Sequence, residues 1–249
     1  MKVLRVELEA PVCSFRLPHF LVGRQLTFDM PPPATIYGHI ASALGDFPDP
    51  RSLRFAYRFT TTGTGEDLEN QHIIVRAGSR PFAIGGLAYP SSTSATVQPT
   101  RRQFLFGCCL TLYLDRLDFE EAFRRPQFTV ILGRSQDLAA YIKVEKVELV
   151  SSELGYYEDT LLPADFRRRT GRGTTVLMPR YVGPPPHRET SFERYIVLRD
   201  RVFDGATTEA DLGSRQMLRF EGEDAELLID PDSPQWRGAH RALAFHSFA

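Results

Sequence analysis

Tyr37 and His39 are the two residues whose side chains and spacing come closest to a catalytic pair. A phenol and an imidazole beside an RNA backbone could act as general base and general acid on a 2′-hydroxyl group. Residues two positions apart in a helix, however, project about 200° from each other. The two groups therefore cannot easily face one reacting bond, and their spacing argues against catalysis.

The other histidines and the cysteines form no recognisable catalytic or metal-binding motif. The sequence contains no HExxH, no GxSxG and no paired His–Cys motif. The three cysteines lack the spacing of a zinc site, and their odd number favours reduced thiols in a cytoplasmic protein. We therefore predict no catalytic residue, no metal and no cofactor. These scattered residues are Cys13, Cys108, Cys109, His19, His72, His187, His240 and His246.

Gly133, Arg134 and Ser135 could bind a phosphate group. They lie in the stretch ILGRSQDL, residues 131–138, where a predicted strand runs into a turn. Such a turn places backbone N–H groups, a guanidinium and a hydroxyl together, and that combination suits an anion. The stretch lacks the lysine and the glycine spacing of a P-loop, so nucleotide hydrolysis is not expected. An ordinary turn after a strand is the alternative explanation.

A basic and aromatic segment, residues 14–30, runs directly into three prolines at 31–33. Prolines fix φ and force the preceding residue into an extended conformation, so we expect an extended arm that crosses one end of the sheet. Gly38, inside the following helix, costs about 1 kcal/mol relative to alanine, which suggests that something packs closely there. A plain helix entry with a surface arm is the alternative. The polar candidates in the arm are Arg16, His19, Arg24 and Gln25.

Two further basic stretches could meet an anion. Arg101 and Arg102 enter a predicted strand in QPTRRQFLF. Neighbouring residues of a strand point to opposite faces, so at most one of the two arginines faces a given partner. The loop RRRTGRGTT, residues 167–175, could follow a phosphate backbone or simply be solvated.

The charge of the chain is balanced overall but unevenly distributed. The net charge is −1, yet residues 203–235 hold nine acidic and only two basic residues. Of the 30 basic residues 27 are arginine, whose planar guanidinium suits phosphate and base stacking, although a GC-rich genome would explain the same bias. The composition therefore permits nucleic-acid binding, while the acidic C-terminal portion better suits a protein neighbour. We expect neither a membrane span nor a signal peptide.

The periodicity of the apolar residues predicts an α+β protein. Residues 2–10 alternate as a strand, and residues 33–44 form a helix with one apolar stripe, a proline in its first turn and Gly45 at its end. The later predicted elements are a strand at 53–60, a loop at 61–70, strands at 72–78 and 102–115 around a Gly/Pro/Ser/Thr-rich segment at 77–100, a helix at 118–125, and strands at 127–133 and 140–150.

With its insertion removed, the order β-α-β then β-α-β predicts a ferredoxin-like (RRM-like) core over residues 1–150. After residue 150 the pattern changes to short strands and Pro/Gly-rich loops. Residues 151–249 are therefore predicted to form a smaller, irregular β-rich portion that packs on the core.

Three of these stretches together resemble the CRISPR-associated protein 5 family, especially its Type I-B-like branch. They are FRLPHFLVGRQLTFDMPPPATIYGHIASALGD, RRQFLF and FTVILGRSQDL, and they occur in this order within about residues 1–150. The resemblance implies a RAMP-type subunit of the Type I Cascade surveillance complex, with a β-hairpin thumb inserted in a ferredoxin-like core. The thumb would be the insertion at about 72–105, and the glycine loop would be 133–135.

The resemblance also implies partners and a binding site. Family members hold the 5′ handle of the CRISPR RNA, contact the large subunit and the terminal backbone subunit, and support recognition of target DNA. Arginine, amide and hydroxyl groups would meet phosphates and 2′-hydroxyls, and His19 and Tyr37 would stack on or hydrogen-bond splayed bases. The predicted RNA-binding residues are Arg16, His19, Arg24, Gln25, Tyr37, Arg101, Arg102, Gly133, Arg134 and Ser135.

In one branch of the family, Type I-C, the protein itself cleaves the precursor RNA with a tyrosine and a lysine–histidine pair. No Lys–His dipeptide occurs here, and the only lysines are Lys2, Lys143 and Lys146. We therefore predict a non-catalytic, cytoplasmic RNA-binding scaffold. A metal-independent endoribonuclease is the alternative, and a ferredoxin-like small-molecule enzyme is a third.

Overall fold

The computed structural model describes residues 1–19, 23–75, 82–89, 94–167, 171–205 and 227–248. Within these ranges none of the helices has the length and apolar character that a bilayer span requires. The elements are β1 (Lys2–Cys13), β2 (Arg24–Gln25), α1 (Pro33–Leu44), β3 (Arg54–Thr60), β4 (Gly63–Val75), β5 (Phe82–Ile84), β6 (Leu87–Tyr89), β7 (Ser94–Leu114), α2 (Glu120–Arg124), β8 (Ala140–Glu148), β9 (Val150–Ser152), β10 (Leu154–Tyr157), β11 (Thr160–Pro163), β12 (Thr174–Val182), β13 (Thr190–Leu198), β14 (Val202–Gly205), β15 (Leu227–Asp230), β16 (His240–Ala242) and β17 (His246–Ser247).

Helix α1 has the predicted bounds because its sequence carries both end signals. Pro33 occupies the first turn, where its missing N–H costs no hydrogen bond. Gly45 follows the helix with φ 79°, a left-handed conformation that glycine adopts without strain, and its N–H donates to the carbonyl of Ala41 at 2.9 Å. Ile36 and Ile40 are fully buried, so the apolar stripe faces the core.

Four strands form the centre of the main sheet in the order β8-β1-β7-β3, and each neighbouring pair is antiparallel. Helix α1 connects β1 to β3, and α2 connects β7 to β8. One apolar core contains Ile36 and Ile40 of α1, Phe123 of α2, and Leu4 and Val6 of β1. Both helices therefore cover the same face of the sheet.

The chain beyond residue 150 contributes to two sheets. Strands β11, β13 and β12 continue the main sheet beyond β3, and β17 also pairs with β3. A second sheet has the order β14-β10-β16-β15-β9 and packs opposite the helices, where Val3, Tyr113 and Leu243 are buried together. The C-terminal portion is rich in strands, as predicted, but strand pairing crosses the predicted boundary near residue 150.

A buried charge cluster joins the two sheets. The guanidinium of Arg5 in β1 donates to Asp230 at 3.0 Å and pairs with Glu145, and the hydroxyl of Tyr113 donates to Asp230 at 2.6 Å. Asp230 is only 1% exposed. Removing one partner of such a buried pair costs roughly 3–5 kcal/mol, so the charges of Arg5 and Asp230 each depend on a partner from the other sheet.

A long two-stranded ribbon extends from the main sheet. It consists of β4 and the first half of β7, which pair without interruption from Gly63–Phe106 to Val75–Ser94. Residues 61–70 were predicted as a loop, but all of them from Gly63 onward lie in β4. Pairing with β7 outweighs their polar composition. The tip carries the short hairpin β5–β6, while residues 76–81 and 90–93 of the predicted insertion lie outside the described residues.

A second sequence prediction is wrong at residues 127–133, which do not form a strand. Their backbone groups bond to helix α1 and to their own turn instead: Gln127 N–H donates to Ala43 O at 3.0 Å, and Leu132 N–H donates to Asp137 O at 3.0 Å.

Two predictions about the helices also need correction. The close packing expected at Gly38 of α1 is absent, because a Cβ placed there would meet nothing within 4 Å. The predicted helix at 118–125 is the shorter α2.

Candidate functional site

The arm, residues 14–30, lies beside β7 where the ribbon leaves the main sheet. The hydroxyl of Ser14 donates to Gln103 O at 2.8 Å, and Phe15 N–H donates to the Thr27 hydroxyl at 2.8 Å. Strand β2 pairs in parallel with β7 at Arg101 and Arg102. The described part of the arm is therefore held against the end of the sheet, as the prolines predicted.

Strands β2, β7 and β4 place the predicted arginines on two opposite faces. Arg24 pairs with Arg101 in register and Gln25 with Arg102, and paired residues project from the same face. Arg24 and Arg101 are exposed, whereas Gln25 and Arg102 are buried. The prediction that the two adjacent arginines face apart is thus confirmed. Arg24 forms an ion pair with Glu66 of β4.

The turn, residues 133–137, is built around a buried carboxylate. Gly133 has φ 109°, and a Cβ there would lie 2.8 Å from the carbonyl oxygen of Ser14, so the arm and the turn touch only because this residue is glycine. Asp137, 2% exposed, accepts hydrogen bonds from the backbone N–H of Ser14 and of Arg134 at 3.1 and 3.0 Å. Ser135 is exposed at the outside of the turn.

Glu69 of β4 connects the turn to β7. Its carboxylate accepts Arg102 Nε at 2.5 Å, Arg134 Nη1 at 2.5 Å and Gln136 Nε2 at 3.3 Å. Partial burial alone would raise the pKa of Glu69, but the hydrogen bonds and charges of Arg102 and Arg134 outweigh burial and hold that pKa below its usual range.

The guanidinium of Arg134 is almost fully occupied by carboxylates. Its Nε and Nη2 donate to Asp137, and its Nη1 donates to Glu69. Its side chain is 15% exposed. Two arginines and two carboxylates therefore balance each other, and this part of the candidate phosphate site is electrically neutral before any anion arrives.

Gln25 is the one predicted residue whose buried side-chain polar atoms lack partners within the described structure. Its side chain is 1% exposed, and neither Oε1 nor Nε2 has a hydrogen-bond partner there. Burying an amide in this way costs about 1–3 kcal/mol. In its observed conformation it presents no group to a ligand.

Tyr37, predicted to contact RNA bases, is buried. Its ring is 1% exposed and packs on Tyr181 and Phe248, and its hydroxyl donates to Pro48 O at 2.6 Å. The stacking role predicted for it needs an exposed ring face, which this structure does not offer. Burial raises the pKa of Tyr37, so the hydroxyl stays protonated.

His39 occupies a different environment from Tyr37, as their helical spacing predicted. Its Nδ1 hydrogen-bonds Ile131 O at 3.0 Å, and its Nε2 accepts from the Tyr141 hydroxyl at 2.9 Å. Since a carbonyl only accepts, Nδ1 carries the proton. Burial lowers the pKa of His39 to about 4, which the bond to Ile131 only partly offsets.

Seven of the ten predicted residues lie at the base of the ribbon, on two opposite faces. Arg24 and Arg101 are on one face, and Gln25, Arg102, Gly133, Arg134 and Ser135 are on the other. Arg16 bridges Thr27 in the same arm and is exposed, and so is His19. Sequence reasoning missed Glu66, Glu69 and Asp137. The alternation of β4 would have marked Glu69 as facing Arg102, but only after residues 61–70 had been recognised as a strand that pairs with β7.

Comparison with known proteins supports one family. The model of the family described as CRISPR-associated protein (Cas_Cas5) matches residues 3–190. Among curated proteins nothing matches. A solved chain titled "CRISPR RNA-guided surveillance complex" is 15% identical with a TM-score of 0.50, covering 82% of this chain and 90% of that chain.

Two further solved structures are similar at a lower level. A CRISPR protein from Archaeoglobus fulgidus is 12% identical, with a TM-score of 0.45 and coverage of 83% of this chain and 93% of that one. A chain of the Type III-B Cmr-beta complex bound to cognate target RNA is 11% identical, with a TM-score of 0.46 and coverage of 81% and 86%. At these identities the likeness concerns the fold alone. The family model spans most of the sequence, and on that ground the chain belongs to the CRISPR-associated protein 5 family.

Proposed function

We propose that the chain is a non-catalytic subunit of a Cascade-type CRISPR effector complex that binds the 5′ handle of the CRISPR RNA and caps one end of the assembly. Membership of the CRISPR-associated protein 5 family supports the setting. The observation that carries the RNA-binding role is that the arm contacts both the turn and β7 at the base of the ribbon, where arginines lie on both faces. Guanidinium groups there suit the phosphates of a single strand.

We interpret the four central strands and their two helices as a ferredoxin-like core, because the antiparallel order β8-β1-β7-β3 and the crossing helices fit that pattern. In RRM-type sheets the bases lie on the open sheet face. Here the second sheet covers part of that face. The remaining cleft is lined by Glu7, Glu145, Asp230 and Asp232 against Arg5, Lys143 and Arg241. That cleft would repel phosphate, so we place the RNA at the arm and the turn.

The exposed apolar residues of the ribbon indicate that it binds a protein partner. We propose that this partner is the neighbouring backbone subunit. Leu68, Ile74 and Val97 are 64%, 67% and 55% exposed. They share one face of the ribbon, because Leu68 and Ile74 are an even number of residues apart and Val97 lies opposite His72 between them. An exposed apolar face of this kind is typical of an interface. The contact with the large subunit stays a prediction.

The first test is whether the protein carries RNA, and which arginines it uses. Purified with its operon partners, the complex should contain a CRISPR RNA whose 5′ handle is protected from nuclease. Arg24→Ala and Arg101→Ala should each weaken RNA binding and flatten the salt dependence by about 0.7 in the log–log slope, one phosphate on a single strand.

Arg54→Ala is the matched control. Its side chain is 58% exposed and ion-paired, against 59% for Arg24, and it lies at the opposite end of β7. It should leave both the affinity and the salt slope unchanged. Equal effects of all three substitutions would mean that net charge, not this site, controls binding.

The alternative, an endoribonuclease, is decided by cleavage. Tyr37 and His39 face different surroundings, so we expect repeat RNA incubated with the protein and EDTA to be bound but not cut at a unique position. Discrete cleavage that is lost in Tyr37→Phe or His39→Gln would establish the nuclease and reject the scaffold role.

A further inference from the structure

We propose that Glu69 occupies the position of an RNA phosphate, so that the chain fills its own anion site until the RNA displaces this carboxylate. The inference rests on the proposed function and adds to it a residue that competes with the ligand. It concerns Glu69 in β4 and the three donors around it, Arg102, Arg134 and Gln136.

The donor set around Glu69 has the composition of an anion site. Arg102 comes from β7, while Arg134 and Gln136 come from the turn. Two charged donors and one neutral donor therefore converge on a single carboxylate, and charge-assisted hydrogen bonds of this kind bind phosphate oxygens as well as carboxylate oxygens. The side chains of Arg102 and Arg134 are only 11% and 15% exposed, so their positions are fixed by packing.

The two carboxylates of the cluster differ in how easily they can leave. Asp137 is 2% exposed and accepts the backbone N–H groups of Ser14 and Arg134, so it belongs to the frame of the turn. Glu69 makes only side-chain contacts in this cluster, and its side chain is 21% exposed. Its carboxylate can therefore leave by side-chain rotation without breaking the turn.

The net charge of the cluster also favours displacement of Glu69 by a phosphate. With Glu69 in place, the cluster of Arg102, Arg134, Glu69 and Asp137 sums to zero and offers an incoming phosphate no net attraction. With Glu69 displaced, the cluster carries one positive charge. Replacing one anion by another keeps the arginines paired throughout, which avoids the cost of leaving buried cations without partners.

The arrangement also links the ribbon to the RNA. Glu69 and its donor Arg102 both lie on the ribbon, whereas Arg134 and Gln136 lie on the turn. An RNA phosphate that binds Arg102 and Arg134 in place of Glu69 would break the side-chain hydrogen bonds between β4 and the turn. Arg24 repeats this pattern on the other face, where its partner Glu66 also belongs to β4.

The experiment compares Glu69→Ala with Asp67→Ala. Asp67 lies opposite Arg102 in the ladder and has the same charge, but among the described residues it forms no ion pair. Binding of a labelled single-stranded RNA with the sequence of the repeat is measured at several salt concentrations. We expect Glu69→Ala to bind about three- to ten-fold more tightly at low salt, with a slope steeper by about 0.7, and Asp67→Ala to change affinity less and the slope not at all.

Inorganic sulfate provides a readout that does not involve RNA. In Glu69→Ala no carboxylate from position 69 occupies the donors Arg102, Arg134 and Gln136. Sulfate should therefore raise the melting temperature of this variant more than that of Asp67→Ala or the unaltered chain at the same concentration. If Glu69→Ala does not fold, Glu69→Gln, which removes the charge and keeps the shape, is used for the RNA measurement.

Weaker RNA binding by the Glu69 variants would show that Glu69 positions the arginines, and equal effects of the two positions would show a general charge effect. Either result overturns the inference. Failure of the unaltered complex to contain or bind RNA would instead reject the proposed function, whatever sulfate does.

Discussion

Arg134 supports the fold as well as the candidate site. Its guanidinium is the main countercharge of Asp137, which is 2% exposed. Burial alone would lower the pKa of Arg134, but the bonds to Asp137 and Glu69 raise it above its ordinary value. Truncating Arg134 would leave the buried Asp137 carboxylate without a cationic partner, although its two backbone hydrogen bonds would remain, at a cost of up to about 3 kcal/mol. A loss of RNA binding in Arg134→Ala could therefore result from destabilisation of the fold as well as from a missing RNA contact. The exposed Arg24 and Arg101 are better positions at which to test RNA binding.

Substituting Gln25 should stabilise the fold, whereas truncating Arg134 should destabilise it. Gln25→Leu removes a buried amide that lacks partners in the described structure while nearly conserving its volume, so the free energy of unfolding should rise by about 1 kcal/mol. Urea denaturation measures the change. Gln103→Leu is the control, because Gln103 Oε1 accepts the backbone N–H of Thr27 at 3.2 Å and its loss should destabilise. Destabilisation by both substitutions would mean that Gln25 has a partner after all.

The sequence predicted the cations of the site better than their partners. Arg24, Arg102 and Arg134 are recognisable from residue type and from the turn or strand beside them. Their carboxylate partners lie far away along the chain: Glu66 is 42 positions from Arg24, and Glu69 is 65 positions from Arg134. Only the register of β4 on β7 brings these groups together, and register cannot be read from local composition. The burial of Tyr37 was missed for the same reason, since Tyr181 and Phe248 cover it.

At the scale of elements, β7 is the strand on which the rest depends. Its 21 residues pair with β1 and β3 in the sheet and with β4 and β2 at the base of the ribbon. The change of partner from β3 to β4 occurs at Gly107, where φ is 60° and a Cβ would lie 2.4 Å from the Thr62 hydroxyl. The sequence identified β1, α1, β3 and β8 from periodicity, but it placed a loop where the ribbon begins.

Gly107 and Gly38 form a matched pair for testing this bend. Gly107→Ala should lower the free energy of unfolding by about 1–3 kcal/mol, because alanine is strained at positive φ and its methyl group would collide with Thr62. Gly38→Ala should raise it by about 0.5–1 kcal/mol, because the site is helical and open. Thermal and urea unfolding of both variants check the signs. A neutral Gly107→Ala would show that the bend does not need glycine.

At the scale of the whole molecule, two buried histidines tie distant parts of the chain together. His39 of α1 bonds Ile131 before the turn, and His246 of β17 bonds Leu161 O at 2.9 Å in β11. Burial lowers the pKa of each to about 4, from an ordinary value of 6.5. Both stay neutral while the chain is folded, so the folded state binds fewer protons than the unfolded state when the solution is acidified.

The sign of the pH dependence follows. The stability contributed by the neutral histidines is fully present above about pH 6.5 and is lost as the pH falls toward 4, by up to about 3 kcal/mol for each group. Chemical denaturation from pH 8 to pH 4.5 should show this decline, and His39→Gln should flatten it. A constant free energy of unfolding across that range would contradict the assignment of both histidines as buried and neutral.

The continuity of β7 has a further consequence for how the chain folds. The ribbon joins residues that are close in sequence, such as Val75 and Ser94, whereas the main sheet joins Leu4 to Lys146. Closing short loops costs less entropy than closing long ones, so the ribbon can zip up before the sheet is complete. Its growth from the tip leads directly into the half of β7 that β1 and β3 require. The hairpin would then act as a folding nucleus whose far end supplies the template for the slow, long-range pairing of the core.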